Sequence, residues 1–348
     1  MERKEQSQSE KKPEATSNSI EIEEKDQPKK AKKRIRISSI LTMVGVMALG
    51  TFSGTVIGLW FKSKKQSGSQ TSIDSGVLKK VEEEKAQVAL KWANAQTSKQ
   101  NYYEIFSPLE MVQVALLNLE TDDYIAECFG KTKPSSFPKQ DITSIKARFG
   151  ETAYFENISY GTKKIGRRYF ENEEKIIWYE KNALFLKGND AIYDTPIYLA
   201  TYKDGKKEMT SAEYEETFGN PLKAASDYII SSYTLEENYV PQKEEKDEKI
   251  IVNLNLSDEA CMKYKKKIKA TESMVSNVNL FEFVHLTFTF SKDLKMQEIY
   301  VEEKYNMQIG ILDVTATADL RSIYYYDVKK DDLPTSVEEY QFRGDIKQ

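Results

Sequence analysis

Twenty-five consecutive positions, 37–61 (ISSILTMVGVMALGTFSGTVIGLWF), carry no charge, whereas the rest of the chain mixes apolar and polar residues. At a helical rise of 1.5 Å this run is about 37 Å long, enough to cross a hydrocarbon core of about 30 Å with some tilt. In lipid the backbone must satisfy its own hydrogen bonds, so the run predicts one transmembrane helix. Beyond it the pattern is helical. Residues 77–96 place Leu78, Val81, Val88 and Trp92 near one stripe. SPLE, residues 107–110, reads as a helix start, with Ser107 as cap, Pro108 in the first turn and Glu110 completing a capping box. Met111, Val114, Leu116, Leu117 and Leu119 follow, which predicts a mostly buried helix. DDYIAECFGK predicts a further short helix ended at Gly130, giving a helical segment over 77–140.

After Pro138 the period falls to two. YFENISYG, KIGRRYF, KIIWYEK, ALFLKG and PIYLATYKDGK read as successive short strands, with turn signals at 187–190 and 204–205. Helical patches are predicted at 211–219 and 221–231, and KEEKDEK (243–249) reads as a charged loop. Strand IIVNLNL precedes the helical SDEACMKYKKKIKA. A hairpin follows, LFEFVHLTFTF and MQEIYVEEKY joined by SKDLK. In ILDVTATADL (311–320), Leu312, Val314, Ala316, Ala318 and Leu320 alternate with Asp313, Thr315, Thr317 and Asp319, the mark of an antiparallel strand with one buried and one wetted face. The small Ala316 and Ala318 leave room for a close helix or for a ligand cavity.

The predicted fold class is therefore α+β: one transmembrane helix, a helical segment, and a curved antiparallel β-sheet (141–330) with helices packed on one face, ending in a tail at 331–348. Helices leading into a long meander, then strand, helix, a hairpin turning at SKDLK and a strand carrying ATADL, make a pattern that resembles the bacterial lipoprotein-carrier superfamily. The resemblance covers about residues 141–328 and lies in pattern rather than in a diagnostic motif. It implies a half-open barrel that holds lipid. No residue role carries across. The chain departs from that family in having a membrane helix where relatives have a lipobox, and in Thr/Asp strand faces that are wet for a lipid cavity.

Charge sets the topology. Lys29, Lys30, Lys32, Lys33, Arg34 and Arg36 precede the span and Lys62, Lys64 and Lys65 follow it, which places the N-terminus in the cytoplasm and the carboxyl-terminal part outside. No small-x-small cleavage site follows the apolar run, which argues against a cleaved signal peptide. Gly50, Gly54 and Gly58, with Ser53 and Thr55 beside them, form a stripe of small residues that suits a homodimer seam or another membrane protein's helix. Residues 1–36, with 11 Lys/Arg and 8 Asp/Glu, read as a disordered cytoplasmic tail. Its Lys32, Lys33, Arg34 and Arg36 are expected to contact anionic lipid headgroups. Residues 62–76 read as a polar linker. The tail's +3 against a whole-chain −4 leaves −7 for residues 62–348, which argues against a nucleic-acid partner.

Candidate chemistry is sparse. His285 is the single histidine, placed mid-strand with Thr287 and Thr289, and it reads as an ordinary sheet residue. With Cys128 and Cys261 far apart, neither a nucleophile–His pair nor a zinc site assembles, and no cofactor is expected. The two cysteines read as buried thiols rather than a bridge. Neighbouring carboxylates such as Glu302–Glu303 or Glu173–Glu174 point to opposite strand faces, so they suit solvent better than a glycosidase pair. Lys263, Lys265, Lys266, Lys267 and Lys269 read as a solvated helix face, and IYYYDV (323–328) as a final strand or lid packed on the sheet. The sequence thus predicts a non-catalytic, membrane-anchored extracytoplasmic binding protein for an amphiphile or envelope protein. Its alternatives are an accessory subunit of a secretion, conjugation or division assembly, and an envelope hydrolase.

Overall fold

The computed structural model describes residues 75–98, 101–160, 163–172, 175–186, 197–202, 207–272 and 274–329. The predicted span, its Gly50, Ser53, Gly54 and Gly58 face, the basic Lys32, Lys33, Arg34 and Arg36, and the turns at 187–190 and 204–205 lie outside the described residues. So do Glu173–Glu174 and the 331–348 tail. Among the described residues no helix is long and apolar enough to cross a membrane.

Helix α1 (Ser75–Ser98) buries Val81, Val88 and Ala95, a seven-residue spacing that gives a narrow seam. It begins two residues earlier than the linker boundary read from sequence. A single turn, α2 (Tyr102–Ile105), leads into α3 (Pro108–Leu119), where the capping box forms as expected. The Glu110 amide donates to Ser107 Oγ at 3.3 Å, and Glu110 Oε2 accepts from the Ser107 amide at 2.8 Å. That local satisfaction of free amides fixes where α3 starts. Lys91 of α1 reaches the same Glu110 at 2.8 Å, and Trp92 Nε1 donates to Asn118 Oδ1 at 3.0 Å, tying α1 to α3.

The strands are β1 (Tyr124–Pro134), β2 (Gln140–Phe149), β3 (Thr152–Tyr160), β4 (Lys163–Asn172), β5 (Lys175–Leu186), β6 (Ile197–Tyr202) and β7 (Lys207–Thr210). Helix α4 (Ser211–Phe218) follows, then β8 (Gln242–Lys246), β9 (Lys249–Leu256), helix α5 (Met262–Thr271), and β10 (Val275–Ser291), β11 (Met296–Ile309) and β12 (Leu312–Tyr325). They form one antiparallel sheet in the order β6-β5-β4-β3-β2-β1-β12-β11-β10-β9-β8, with β7 beside β5. Two meanders, β1–β6 and β8–β12, thus meet at a single seam where β1 pairs β12. The observed class is α+β, with the amino-terminal helices joined to a large antiparallel sheet.

Helices α1 and α3 share the main core with β9–β12, around Met111, Leu119, Ile250, Leu254, Phe288 and Phe290. The helical segment therefore packs on the sheet rather than standing apart. A second cluster joins Tyr214 and Phe218 of α4 to Ala153, Tyr169, Ile176 and Met209. Val328, beyond β12, packs with Ala147, Phe149 and Tyr154, on the opposite side of β2 and β3 from Lys146 and Phe155.

Four local readings are corrected. DDYIAECFGK is not a helix: it becomes β1, because its Tyr124 and Ala126 alternate with residues of the other face. Residues 221–231 are irregular, since Asn220 Nδ2 bonds the Ser226 and Asp227 carbonyls and Ser226 Oγ takes the Tyr228 amide. Such side-chain bonds compete with helical ones. KEEKDEK forms the β8–β9 hairpin, turning on Asp247 and Glu248, both at positive φ. That two-residue turn matches the strand twist, and the charged β8 discourages pairing at the sheet edge. KIIWYEK and ALFLKG are one strand, β5.

Candidate functional site

The register across the amino-terminal meander sets side chains in rows. Ala126, Lys146, Phe155 and Tyr169 pair in turn across β1 to β4, and Cys128, Ser144, Asn157 and Arg167 form the next row. All eight line one cavity of about 400 Å³. Across the β1–β12 seam the lining continues onto the carboxyl-terminal meander and becomes largely apolar, with Leu286, Phe288, Ile299, Val301, Met307 and Leu320. Tyr214 and Phe218 of α4, the 220–228 loop, and Tyr264, Lys267 and Ile268 of α5 add to the lining. The cavity is thus two-sided. One wall is greasy, and the other carries hydroxyl, amide and cationic groups.

The room left by Ala316 and Ala318 is used differently from either expectation. Across the strands they face Tyr305 and Glu303, and neither alanine lines the cavity. Glu303 is nearly inaccessible, at 1% exposure. The Tyr228 hydroxyl donates to its Oε2 at 2.6 Å and the Tyr264 hydroxyl to its Oε1 at 3.3 Å. Burial pushes the Glu303 carboxyl up to about 7, although the two phenols hold it partly down. Since Tyr228 belongs to the loop and Tyr264 to α5, this one carboxyl ties both covering elements to the sheet.

Asp227 and the lysines of α5 make a second polar group. Lys267 Nζ lies 2.7 Å from Asp227 Oδ2 and 5.0 Å from the centre of the Phe155 ring. Lys265 pairs with Asp258 at 2.6 Å. These two lysines are turned to carboxylates, so the solvated-face reading holds for Lys266 and Lys269 but not for them. Burial raises the Asp227 carboxyl, but Lys267, Lys146 and the Asn220 amide more than offset this and leave it below its ordinary range. Lys146 donates to the Ala224 carbonyl, and burial lowers its ammonium to about 8 despite the nearby Asp227.

No family model and no curated protein matches this chain. Among solved structures it is similar to LprF from Mycobacterium bovis, at 6% identity and a TM-score of 0.27, covering 61% of this chain and 90% of that one. It is also similar to a LolA superfamily protein from Nitrosomonas europaea, at 11% identity and a TM-score of 0.21, covering 65% and 98%. These are lipoprotein-carrier-like folds, the superfamily that the sequence pattern resembles. At such overlap the likeness says nothing of a ligand.

The remaining sequence candidates fall away from the cavity. His285 is exposed on the far face, its ring stacked on Phe283 at 4.8 Å between centres. Cys261 is buried with its thiol pushed well up by burial, whereas Cys128 is half-buried on the cavity wall; both are free. Among the described residues no group of three or more His, Cys, Asp or Glu side chains is placed to hold a metal. IYYYDV continues β12, placing Tyr324 on the cavity wall and Tyr326 beyond the strand end, bonded to the Met296 carbonyl at 2.7 Å. Lys146 and Asp227 were not singled out from sequence, and the solvent-facing reading of Glu302–Glu303 holds for Glu302 but is overturned for Glu303, which the sheet buries. The one available signal was strand parity, which sets Glu303 in phase with Val301 and Tyr305.

Proposed function

We propose that this chain is a non-catalytic, extracytoplasmic binding protein of the bacterial envelope whose cavity holds one amphiphile. The carrying observation is the two-sided cavity. An acyl chain laid on Leu286, Phe288, Val301 and Met307 gains about 0.8 kcal/mol for each methylene removed from water. The Ser144, Asn157 and Lys146 side chains on the amino-terminal half of the lining offer a head group the polar contacts that an apolar wall denies it. A volume of about 400 Å³ is near the lower end of the range of roughly 300–1,000 Å³ for ligand pockets, which suits one chain rather than several. A spacer subunit of an assembly has no use for such a space.

In this proposal the apolar run 37–61 is an uncleaved anchor with the amino-terminus in the cytoplasm. Gly50, Ser53, Gly54 and Gly58 are its packing face toward a second copy or another membrane protein, and Lys32, Lys33, Arg34 and Arg36 meet the headgroups. Cys128 provides a native reporter of occupancy. On the full chain in nanodiscs, N-ethylmaleimide is expected to alkylate Cys128 and spare Cys261. Adding single-chain amphiphiles is expected to slow that reaction several-fold, the rate falling in proportion to the fraction of sites left empty. An alkylation rate indifferent to every amphiphile overturns the proposal.

A further inference from the structure

Granting the bound amphiphile proposed above, the charges on the cavity wall select its head group. Among the described residues, five charged side chains line the space: Lys146, Arg167, Lys267, Asp227 and Glu272. Four are matched in pairs. Arg167 meets Glu272 at 3.1 Å and Lys267 meets Asp227 at 2.7 Å. Lys146 is left over. Among the described residues no carboxylate lies within 4 Å of it, and its one hydrogen bond goes to the Ala224 carbonyl. An ammonium carries three donors, so two remain for whatever enters.

The groups facing Lys146 leave this charge in place. From the loop after α4, Asp227 attracts it, but that carboxylate is already shared with Lys267 of α5, which repels it. From the sheet it is flanked by Ala126 and Phe155, which offer nothing polar through their side chains. A cation held in low dielectric without a contact partner is costly to the empty protein and attractive to an anion. Ser144 and Asn157, in the adjacent row, add neutral hydrogen-bonding groups around the same point. We infer that Lys146 is the anchor for the anionic head of a single-chain amphiphile, a carboxylate or a phosphate monoester, whose tail lies on the apolar wall of β10–β12.

The test compares hexadecanoate, hexadecyl phosphate and uncharged hexadecanol as protectors of Cys128 on the full chain in zwitterionic nanodiscs, with inorganic phosphate as a tail-free control. A charge-assisted contact in place of a neutral one is expected to favour an anionic ligand over the alcohol about tenfold. Which anion protects better identifies the head group, and inorganic phosphate alone is expected to give no protection. In Lys146→Met the acid and the alcohol are expected to protect equally, while the thermal midpoint at neutral pH rises because a half-buried charge without a carboxylate partner is gone. Lys146→Arg is expected to keep the preference. Equal protection by acid and alcohol in the unaltered chain overturns the anion anchor while leaving amphiphile binding intact. So does an acid preference that survives in Lys146→Met. Protection by none of the ligands overturns the amphiphile reading itself.

Discussion

Replacing Glu303 by Gln is expected to make the protein more stable at pH 8 and to flatten its stability between pH 5 and pH 8. Glu303 lies at 1% exposure between the phenols of Tyr228 and Tyr264, and its carboxyl is pushed up to about 7 from the ordinary 4.5. A carboxyl that holds its proton more tightly folded than unfolded favours the folded state fully below the unfolded value. That contribution is lost as pH rises through the folded value. The window is therefore about 4.5 to 7, and the full span is worth about 3 kcal/mol at 1.36 kcal/mol per unit. Gln keeps the shape and the acceptor oxygen but cannot ionise, so the variant escapes the loss. Urea unfolding of the full chain in detergent at the two pH values measures this directly. A variant whose stability tracks that of the unaltered chain across the whole range contradicts the assignment. The same titration loosens the tie between sheet and cover, so opening of the 220–228 loop is expected to grow as pH climbs past 7.

Gly130→Ala is expected to be the most damaging single methyl group in the sheet. Gly130 sits mid-strand in β1, paired with Leu320 across the seam that joins the two meanders. A Cβ there would stand 2.0 Å from the Asp319 carbonyl oxygen and 2.8 Å from the Leu320 Cα. Both neighbours are backbone, so relief requires the strands to separate rather than a side chain to swing away. Overpacking of this kind costs about 3 kcal/mol or more when nothing flexible can yield. Because Cys128 is two residues away and pairs with Ser322 at the same seam, its alkylation is expected to accelerate as the meanders part. A thermal midpoint unchanged from that of the parent chain would show that the seam tolerates the methyl group.

What could be read from the sequence was what depends on neighbours in the chain. The capping box at Ser107–Glu110 closes within four residues, and the strand–helix–hairpin run of the carboxyl-terminal third has a strong period, so both were legible. DDYIAECFGK was not, for two reasons. Alanine and glutamate favour helix locally. The alternation of strand β1 is also blurred, because Ile125 packs into the cluster on the opposite sheet face while Tyr124 and Ala126 enter the main core. Gly130 looked like a helix stop for the same reason. Its role is a close approach to Asp319, almost two hundred positions later. KEEKDEK lacks the glycine or asparagine that usually announces a tight hairpin, so its turn at Asp247–Glu248 was hidden.

The site was less legible than the fold. Lys146, Asp227 and Lys267 are brought together from β2, an irregular loop and α5, and no spacing in the chain links them. Glu303 stands in a run of charged residues, VEEKY, and only its phase separates it from the exposed Glu302 beside it. The alanines of ATADL did signal space on the sheet, but the occupants, Tyr305 and Glu303, come from the neighbouring strand.

Native mass spectrometry of the full chain, released from a detergent of single known mass, tests amphiphile binding most directly. The unaltered protein is expected to carry one bound amphiphile per chain. Ser144→Trp, which fills the middle of the cavity from β2, is expected to carry none. A bare chain mass from cell-derived protein that also stays bare after incubation with hexadecanoate and hexadecanol, or an adduct equally present in the filled variant, would contradict the account.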